Sequence, residues 1–189
     1  VTARRSPRQL DLLDRLVELT AAEGFSHLRL DEVAVRLRCS KATLYALASS
    51  KHELVVEVAK RFFQVSTEVV EARVATAEDP LARVVAYLDA VSARLALLSR
   101  DFLDDVASFG PTAEVYRANT AAAAERIRTL IAEGIEAGAF REVHAPFTAE
   151  MVAAAMFGIQ RGEIASRLGL TDAEAYGELS ALVVQLLRP

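Results

Sequence analysis

Residues Leu30 to Leu54 read L-D-E-V-A-V-R-L-R-C-S-K-A-T-L-Y-A-L-A-S-S-K-H-E-L. This stretch restricts the fold more than any other, because it calls for two short helices and the start of a third with almost no linker. Leu30, Val33, Ala34 and Leu37 recur at i, i+3, i+4 and i+7, which puts them on one helical face. Arg38 and Cys39 interrupt that pattern. Ser40 follows as a natural N-cap, since its hydroxyl can accept from an orphan amide of the next turn. The next helix is brief, Lys41 to about Ala48, with Leu44 and Leu47 turned inward. Ser50 and Glu53 then form S-x-x-E, the capping box that opens another helix at once.

A short helix, a turn and a second short helix that offers Lys41, Thr43 and Tyr45 to solvent is the arrangement of a helix-turn-helix. The residues that carry it are Phe25, Leu30-Asp31-Glu32-Val33-Ala34, Ser40-Lys41-Ala42-Thr43-Leu44-Tyr45 and Ser50-Lys51-His52-Glu53-Leu54. Together they resemble the DNA-binding segment of the tetracycline-repressor (TetR) family. The matched motif runs from Leu10 to Leu54, about a quarter of the chain, and the remainder agrees in length and helicity. The resemblance implies an all-α protein: three DNA-binding helices and about six more, with an effector pocket within helices four to eight and a dimer built by the last two. Three positions depart from the family pattern. Arg38 stands in the turn where Gly is frequent, and Leu47 and Ala48 replace a common His-Phe pair. A non-Gly residue at positive φ is strained, so a reshaped turn is expected. Loss of the Phe ring removes packing beside the third helix, by about 1–3 kcal/mol on the scale of large-to-small core changes.

Composition agrees with the all-α reading. Ala, Leu, Arg and Glu dominate a chain of 189 residues that is 52% hydrophobic, which is enough to bury a substantial core. One cysteine, Cys39, excludes an internal disulfide and fits a reducing compartment. The absence of an apolar run near 18 residues, and of an apolar stretch after V-T-A-R-R-S-P-R, leads to the expectation of a cytoplasmic protein with no membrane partner. The net charge of −4 argues against simple coating of nucleic acid, but it hides an asymmetry. Residues 1–51 carry nine Lys/Arg against six Asp/Glu, and residues 52–189 carry thirteen against twenty. The basic part coincides with the helix-turn-helix, where phosphates would be neutralised.

Capping signals divide the chain into about nine helices. Ser6-Pro7 opens the first, with Leu10, Leu13, Leu16, Val17 and Thr20 inward and Gly24 as its stop. The fourth is long, from Ser50 to about Ala77, with Leu54, Val58, Phe62, Val65 and Val69 as its apolar stripe. Asp79-Pro80 opens the fifth. The sixth runs from about Asp101 to Ser108 and ends at Gly110-Pro111, and the seventh covers about Thr112 to Ala137. Thr148 caps an eighth running to about Leu168, Gly169 follows as a C′ residue, and Thr171-x-x-Glu174 boxes the ninth. The expected division is a DNA-binding domain over residues 1–50 and an effector-binding and dimerisation domain over residues 51–189.

The DNA-binding candidates are Arg29, Ser40, Lys41, Ala42, Thr43, Tyr45 and Lys51. Lys41 can reach a guanine edge, and Ala42 is small enough to meet a thymine methyl. The hydroxyls of Thr43 and Tyr45 suit phosphate oxygens. The resemblance places a phosphate-binding lysine at Lys51, and Arg29 is a further phosphate candidate. Arg4 and Arg5 form a basic arm that could clamp the backbone. Candidates for the pocket wall are Phe62, Tyr87, Phe102, Phe109, Tyr116, Met156 and Phe157, with Arg94, Arg161 and His144 as polar groups. A mostly apolar small molecule is the expected effector. The candidate dimer interface comprises Gly158, Gly162, Leu179, Leu182, Val183 and Leu186. A pseudo-palindromic operator on double-stranded DNA would require such a twofold homodimer.

Enzyme chemistry finds no support. His27, His52 and His144 are isolated, and HExxH, a cysteine pair, a P-loop, a dinucleotide fingerprint and G-x-S-x-G are all missing. No cofactor or metal is expected. The expected function is a ligand-responsive transcriptional regulator, a repressor released by its effector. The alternative is a dimeric helical interaction module of the same fold that has lost specific DNA binding, motivated by Arg38, Leu47 and Ala48.

Overall fold

A computed structural model describes residues 5–162 and 164–188. Arg4 therefore lies outside the described residues. Ten helices occur among those described: α1 (Pro7–Glu23), α2 (Leu30–Arg36), α3 (Lys41–Tyr45), α4 (Lys51–Ala75), α5 (Pro80–Leu95), α6 (Arg100–Ser108), α7 (Gly110–Glu136), α8 (Ala145–Gln160), α9 (Ala165–Leu168) and α10 (Asp172–Leu187). The all-α class is as expected. The single turn α9 is the addition to the nine anticipated helices.

Local capping chemistry explains most of the boundaries. Ser6 Oγ accepts the Gln9 N–H, while the Gln9 side chain accepts from Ser6 N, which closes a capping box ahead of Pro7. Asp79 Oδ1 accepts from Ala82 N at 2.8 Å at the start of α5, and the Thr171–Glu174 box opens α10. Four boundaries differ from the sequence reading, the first being the end of α3, at Tyr45 instead of about Ala48. Gly110-Pro111 opens α7 instead of closing α6, since proline's missing N–H costs nothing in a first turn. Helix α8 begins earlier, where His144 Nδ1 accepts the Phe147 N–H and Pro146 sits in the first turn; Thr148 lies buried inside the helix. Helix α8 also ends at Gln160, because Gly162 turns the chain at φ 70°. At the start of α4, Glu53 accepts from Ser49 N and Ser49 Oγ, while Ser50 Oγ accepts from Glu53 N. The box is thus shared between two serines.

The chain forms two compact units, Val1–Val65 with Leu97–Tyr116, and Ser66–Ala96 with Arg117–Pro189. The first therefore contains the helix-turn-helix, the first part of α4, all of α6 and the start of α7. Its core holds Leu13, Leu16, Phe25, Leu44, Leu54, Val58, Phe62, Phe102 and Val106, all buried. A bidentate pair between Arg61 and Asp14, at 2.6 and 2.9 Å, joins α4 to α1.

In the second unit α10 packs on α5 and α8 around a core that includes Val84, Leu88, Ile131, Tyr176 and Leu187. Burial of Tyr87 there, aided by the negative charge of Glu71, pushes its pKa up to about 12, and its hydroxyl donates to the Ala123 carbonyl. The buried stripe of α4 drifts along its length. Leu54, Val58 and Phe62 serve the first core, while Val70 and Val74 serve the second, which leaves Val69 exposed.

Candidate nucleic-acid interface

The turn between α2 and α3 is a complete C-terminal cap. Arg38 N donates to the Val35 carbonyl at 3.1 Å and Cys39 N to the Ala34 carbonyl at 2.9 Å, with Arg38 at φ 52°. This is the Schellman pattern, with arginine in the left-handed position that glycine usually takes. The turn keeps its shape, and the strain stays in the backbone. A left-handed non-Gly residue costs about 1–2 kcal/mol, part of which glycine's larger unfolded-state entropy would return. Arg38→Gly should therefore raise stability by about 0.5–1 kcal/mol. Denaturant unfolding checks this, and a fall in midpoint would mean that the Arg38 side chain itself holds the turn.

Beyond the turn, Ser40 caps α3, its Oγ accepting from Thr43 N at 3.1 Å and lying 2.8 Å from Thr43 Oγ1. Leu44 anchors the helix below, and Ala42 and Tyr45 face outward, Tyr45 being 48% exposed. Two carbonyls at the other end of this short helix have partners from the N-terminal segment. Gln9 Nε2 donates to Ala46 O, and Arg5 Nη2 donates to Leu47 O while pairing with Glu57 at 2.6 Å. Arg5 is thus committed to the segment just after α3 and to α4 and is not part of a loose arm. Leu47 is buried, and beside Ala48 a cleft of about 390 Å³ opens, lined also by His52, Val56 and Phe109. It lies at the position where the expected aromatic ring is missing.

The predicted contact residues divide into two groups. Arg29, Ala42 and Tyr45 are exposed. Lys41 is exposed but forms an ion pair with Asp31, and Lys51 Nζ donates to the Ser26 carbonyl at 2.9 Å. The sequence reading missed Arg8, Arg15 and Arg38 as a group. All three line one groove of about 620 Å³ between α1 and the α2–α3 turn, together with Ser40 and Thr43. Arg15 also donates to the Leu37 carbonyl at 2.7 Å. Three guanidiniums beside the capped helix α3 make a surface whose chemistry suits phosphate oxygens. Arg8 and Arg15, at the second and ninth positions of α1, carry no motif, so only the packing of α1 against the turn gathers them with Arg38.

The pocket candidates are scattered. Phe62, Phe102, Phe109 and Tyr116 belong to the first unit, and Tyr87, Met156 and Phe157 to the second. Phe62 and Phe102 are 2% and 0% exposed, their rings 6.1 Å apart, and Phe25 meets Phe102 edge-on at 5.8 Å. These rings are packing elements of the first unit. Phe157 does line a cleft, of about 660 Å³, between α7 and α8. Ala121, Ala124, Ala153, Ala154 and Gly158 form its small apolar walls, and Arg117, Arg128, Arg161, Glu125 and Glu150 surround it. His144 caps α8, and Arg94 donates to Ser66 Oγ at 3.1 Å. Among the described residues no group of three or more His, Cys, Asp or Glu could hold a metal ion, and no helix is long and apolar enough to cross a membrane.

The dimer candidates also separate. Leu179 and Val183 are buried in the second unit's own core, whereas Leu182 and Leu186 are 66% and 38% exposed. Phe147 and Met151 on α8 are exposed apolar side chains as well. Gly158 has an intrachain reason for its size, because a Cβ there would lie 2.7 Å from Ile164 Cδ1.

Residues 12–58 match the model of a family described as bacterial regulatory proteins, tetR family. No curated protein matches the chain. Solved structures agree with the fold over nearly the whole length. A transcriptional regulator from Saccharomonospora viridis, solved in complex with choline, superposes with a TM-score of 0.78 at 18% identity, covering 98% of this chain and 100% of that one. A TetR transcription regulator from Haloarcula marismortui gives 0.76 at 17%, covering 97% and 100%. A TetR regulator from Chloroflexus aurantiacus gives 0.72 at 22%, covering 97% and 99%. Over residues 12–58 the chain thus matches the tetR-family model, and over nearly its whole length it has the fold of solved TetR regulators.

Proposed function

We propose that this chain is a homodimeric repressor that holds a palindromic operator and releases it when a small, mostly apolar molecule binds. The observation that carries the DNA half of this reading is the capped helix α3. It presents Ala42 and Tyr45 beside a groove lined by Arg8, Arg15 and Arg38. Base edges would meet the tip of α3, and the arginines would hold flanking phosphates. The α7–α8 cleft, with alanine walls and Phe157, is the proposed effector site. Switching is a population shift: operator favours recognition helices about 34 Å apart, one duplex turn, and effector favours another spacing. Helix α4, unbroken from Lys51 to Ala75, is the proposed carrier of that change.

The test is a mobility-shift titration on DNA fragments selected from a random pool by the purified protein. A regulator binds a short palindrome, and its affinity falls steeply with salt, with a slope of about −0.9 per phosphate neutralised. The competing reading, an interaction module without operator binding, draws support from the engagement of Lys41 with Asp31 and of Lys51 with Ser26. Selection of no sequence at low salt would decide for it.

Dimerisation is tested separately. Leu182→Glu with Leu186→Glu places two carboxylates on an apolar face that is open in the protomer, so the protomer should fold normally and sediment as a monomer at micromolar concentration. An unchanged dimer would move the interface elsewhere.

A further inference from the structure

We propose that Asp105 is a positioning residue for operator binding: from α6 it fixes Ser26, and Ser26 in turn fixes the ammonium group of Lys51 at the start of α4. The inference rests on the DNA-binding reading above and adds a control point to it. Asp105 Oδ2 accepts two backbone N–H groups, from Phe25 at 2.6 Å and from Ser26 at 2.8 Å. The carbonyl of the same Ser26 accepts from Lys51 Nζ at 2.9 Å. One residue of the α1–α2 connection therefore bridges a carboxylate on α6 and a cation at the first position of α4.

The chain around this bridge has little freedom. Gly24 turns it at φ 79°, and a Cβ on Gly24 would lie 2.7 Å from Asp105 Oδ2, so the carboxylate occupies the space a side chain would need. Ser99 N donates to Ala21 O at 2.8 Å, a second tie between the approach to α6 and the end of α1. Burial by itself would raise the Asp105 carboxyl, but the amides of Ser26 and Phe25 and the Ser26 hydroxyl outweigh it and hold the group below its ordinary range. The bridge thus has an anion at one end and a cation at the other, each making charge-assisted hydrogen bonds that hold the two peptide groups flanking the Ser26 Cα.

An ammonium has three donors, and the Ser26 carbonyl uses one of them. The others are available to a phosphate oxygen, from a position set by Ser26. A movement of α6 that withdraws Asp105 loosens Ser26, and Lys51 loses its fixed position without any change at Lys51 itself.

The experiment is a double-mutant cycle on operator affinity in the full-length chain, with Asp105→Asn, Lys51→Met and the double variant. Circular dichroism and thermal unfolding confirm that each is folded. Asp105→Asn alone should weaken operator binding about tenfold, and in the Lys51→Met background it should weaken it less than twofold. Equal losses in both backgrounds would mean that Asp105 supports the fold only, and would overturn the relay. Amide hydrogen exchange gives a second readout without DNA. Lys51→Met should speed exchange at Ser26 several-fold in the otherwise intact chain, and an unchanged rate there would overturn the relay even if Asp105→Asn does not fold. Failure of the unaltered protein to bind any operator would refute the proposed function, while the exchange measurement would still decide the relay.

Discussion

Phe102→Ala should lower the stability of the first unit by about 3–5 kcal/mol, the usual cost of truncating a fully buried aromatic residue. The ring is 0% exposed and sits between Phe25, met edge-on, and Phe62. Removing it deletes both ring contacts and leaves a cavity that rigid neighbouring helices cannot close. Against a total stability of about 5–15 kcal/mol for a domain, this is a large share. The result also decides between two roles. A ring lining an effector site already borders open space, and its truncation would cost well under that range. A loss below about 1 kcal/mol in denaturant unfolding would therefore assign Phe102 to a binding wall and contradict the packed core. The expected loss would also show that α6, distant in sequence from the helix-turn-helix, is part of what holds it together.

Ala42→Glu should reduce operator affinity at least a hundredfold while leaving thermal stability unchanged or slightly raised. The two effects separate for a physical reason. Ala42 is exposed and lies in the first turn of α3, behind the Ser40 cap. A carboxylate there is favoured by the helix dipole, by about 0.3–1 kcal/mol. Facing DNA, the same carboxylate meets phosphates and acceptor-rich base edges, and like-charge juxtaposition in an interface costs several kcal/mol. Mobility shift and thermal unfolding on one preparation check both halves. Retained affinity in a folded Ala42→Glu protein would mean that the tip of α3 does not enter the groove.

Where sequence reasoning succeeded, the interactions are local. Ser6, Ser40, Asp79 and Thr171 each accept from an amide three residues on. Such a bond depends on the cap residue and the direction of the next turn, both visible in a short window. The helix-turn-helix was legible for the same reason, since its whole length lies within Leu30–Leu54. The errors at α7 and α8 also lay within reach, because Pro111 and Pro146 in first turns mark starts.

The candidate site was less legible because its chemistry is non-local. Lys51 reaches Ser26, 25 positions away, and Arg5 reaches Glu57, 52 positions away. Both lysines and arginines of this kind look like solvated cations until a partner is brought to them. Likewise Phe102 and Phe157 are both apolar residues on helices, yet one fills a core and the other borders a cleft. Periodicity identifies which face of a helix is buried, not what lies opposite.

What the amino-acid order determined alone was the helical class, the placement of most caps and the recognition helix, all products of hydrogen bonds and spacing within a turn or two. Tertiary structure alone decided which cations gather at the α1–turn groove, which leucines of α10 stay open, and that Asp105 reaches Phe25 and Ser26. Those outcomes depend on pairs far apart in the chain, whose meeting is set by packing of whole helices and leaves no periodic trace in the sequence.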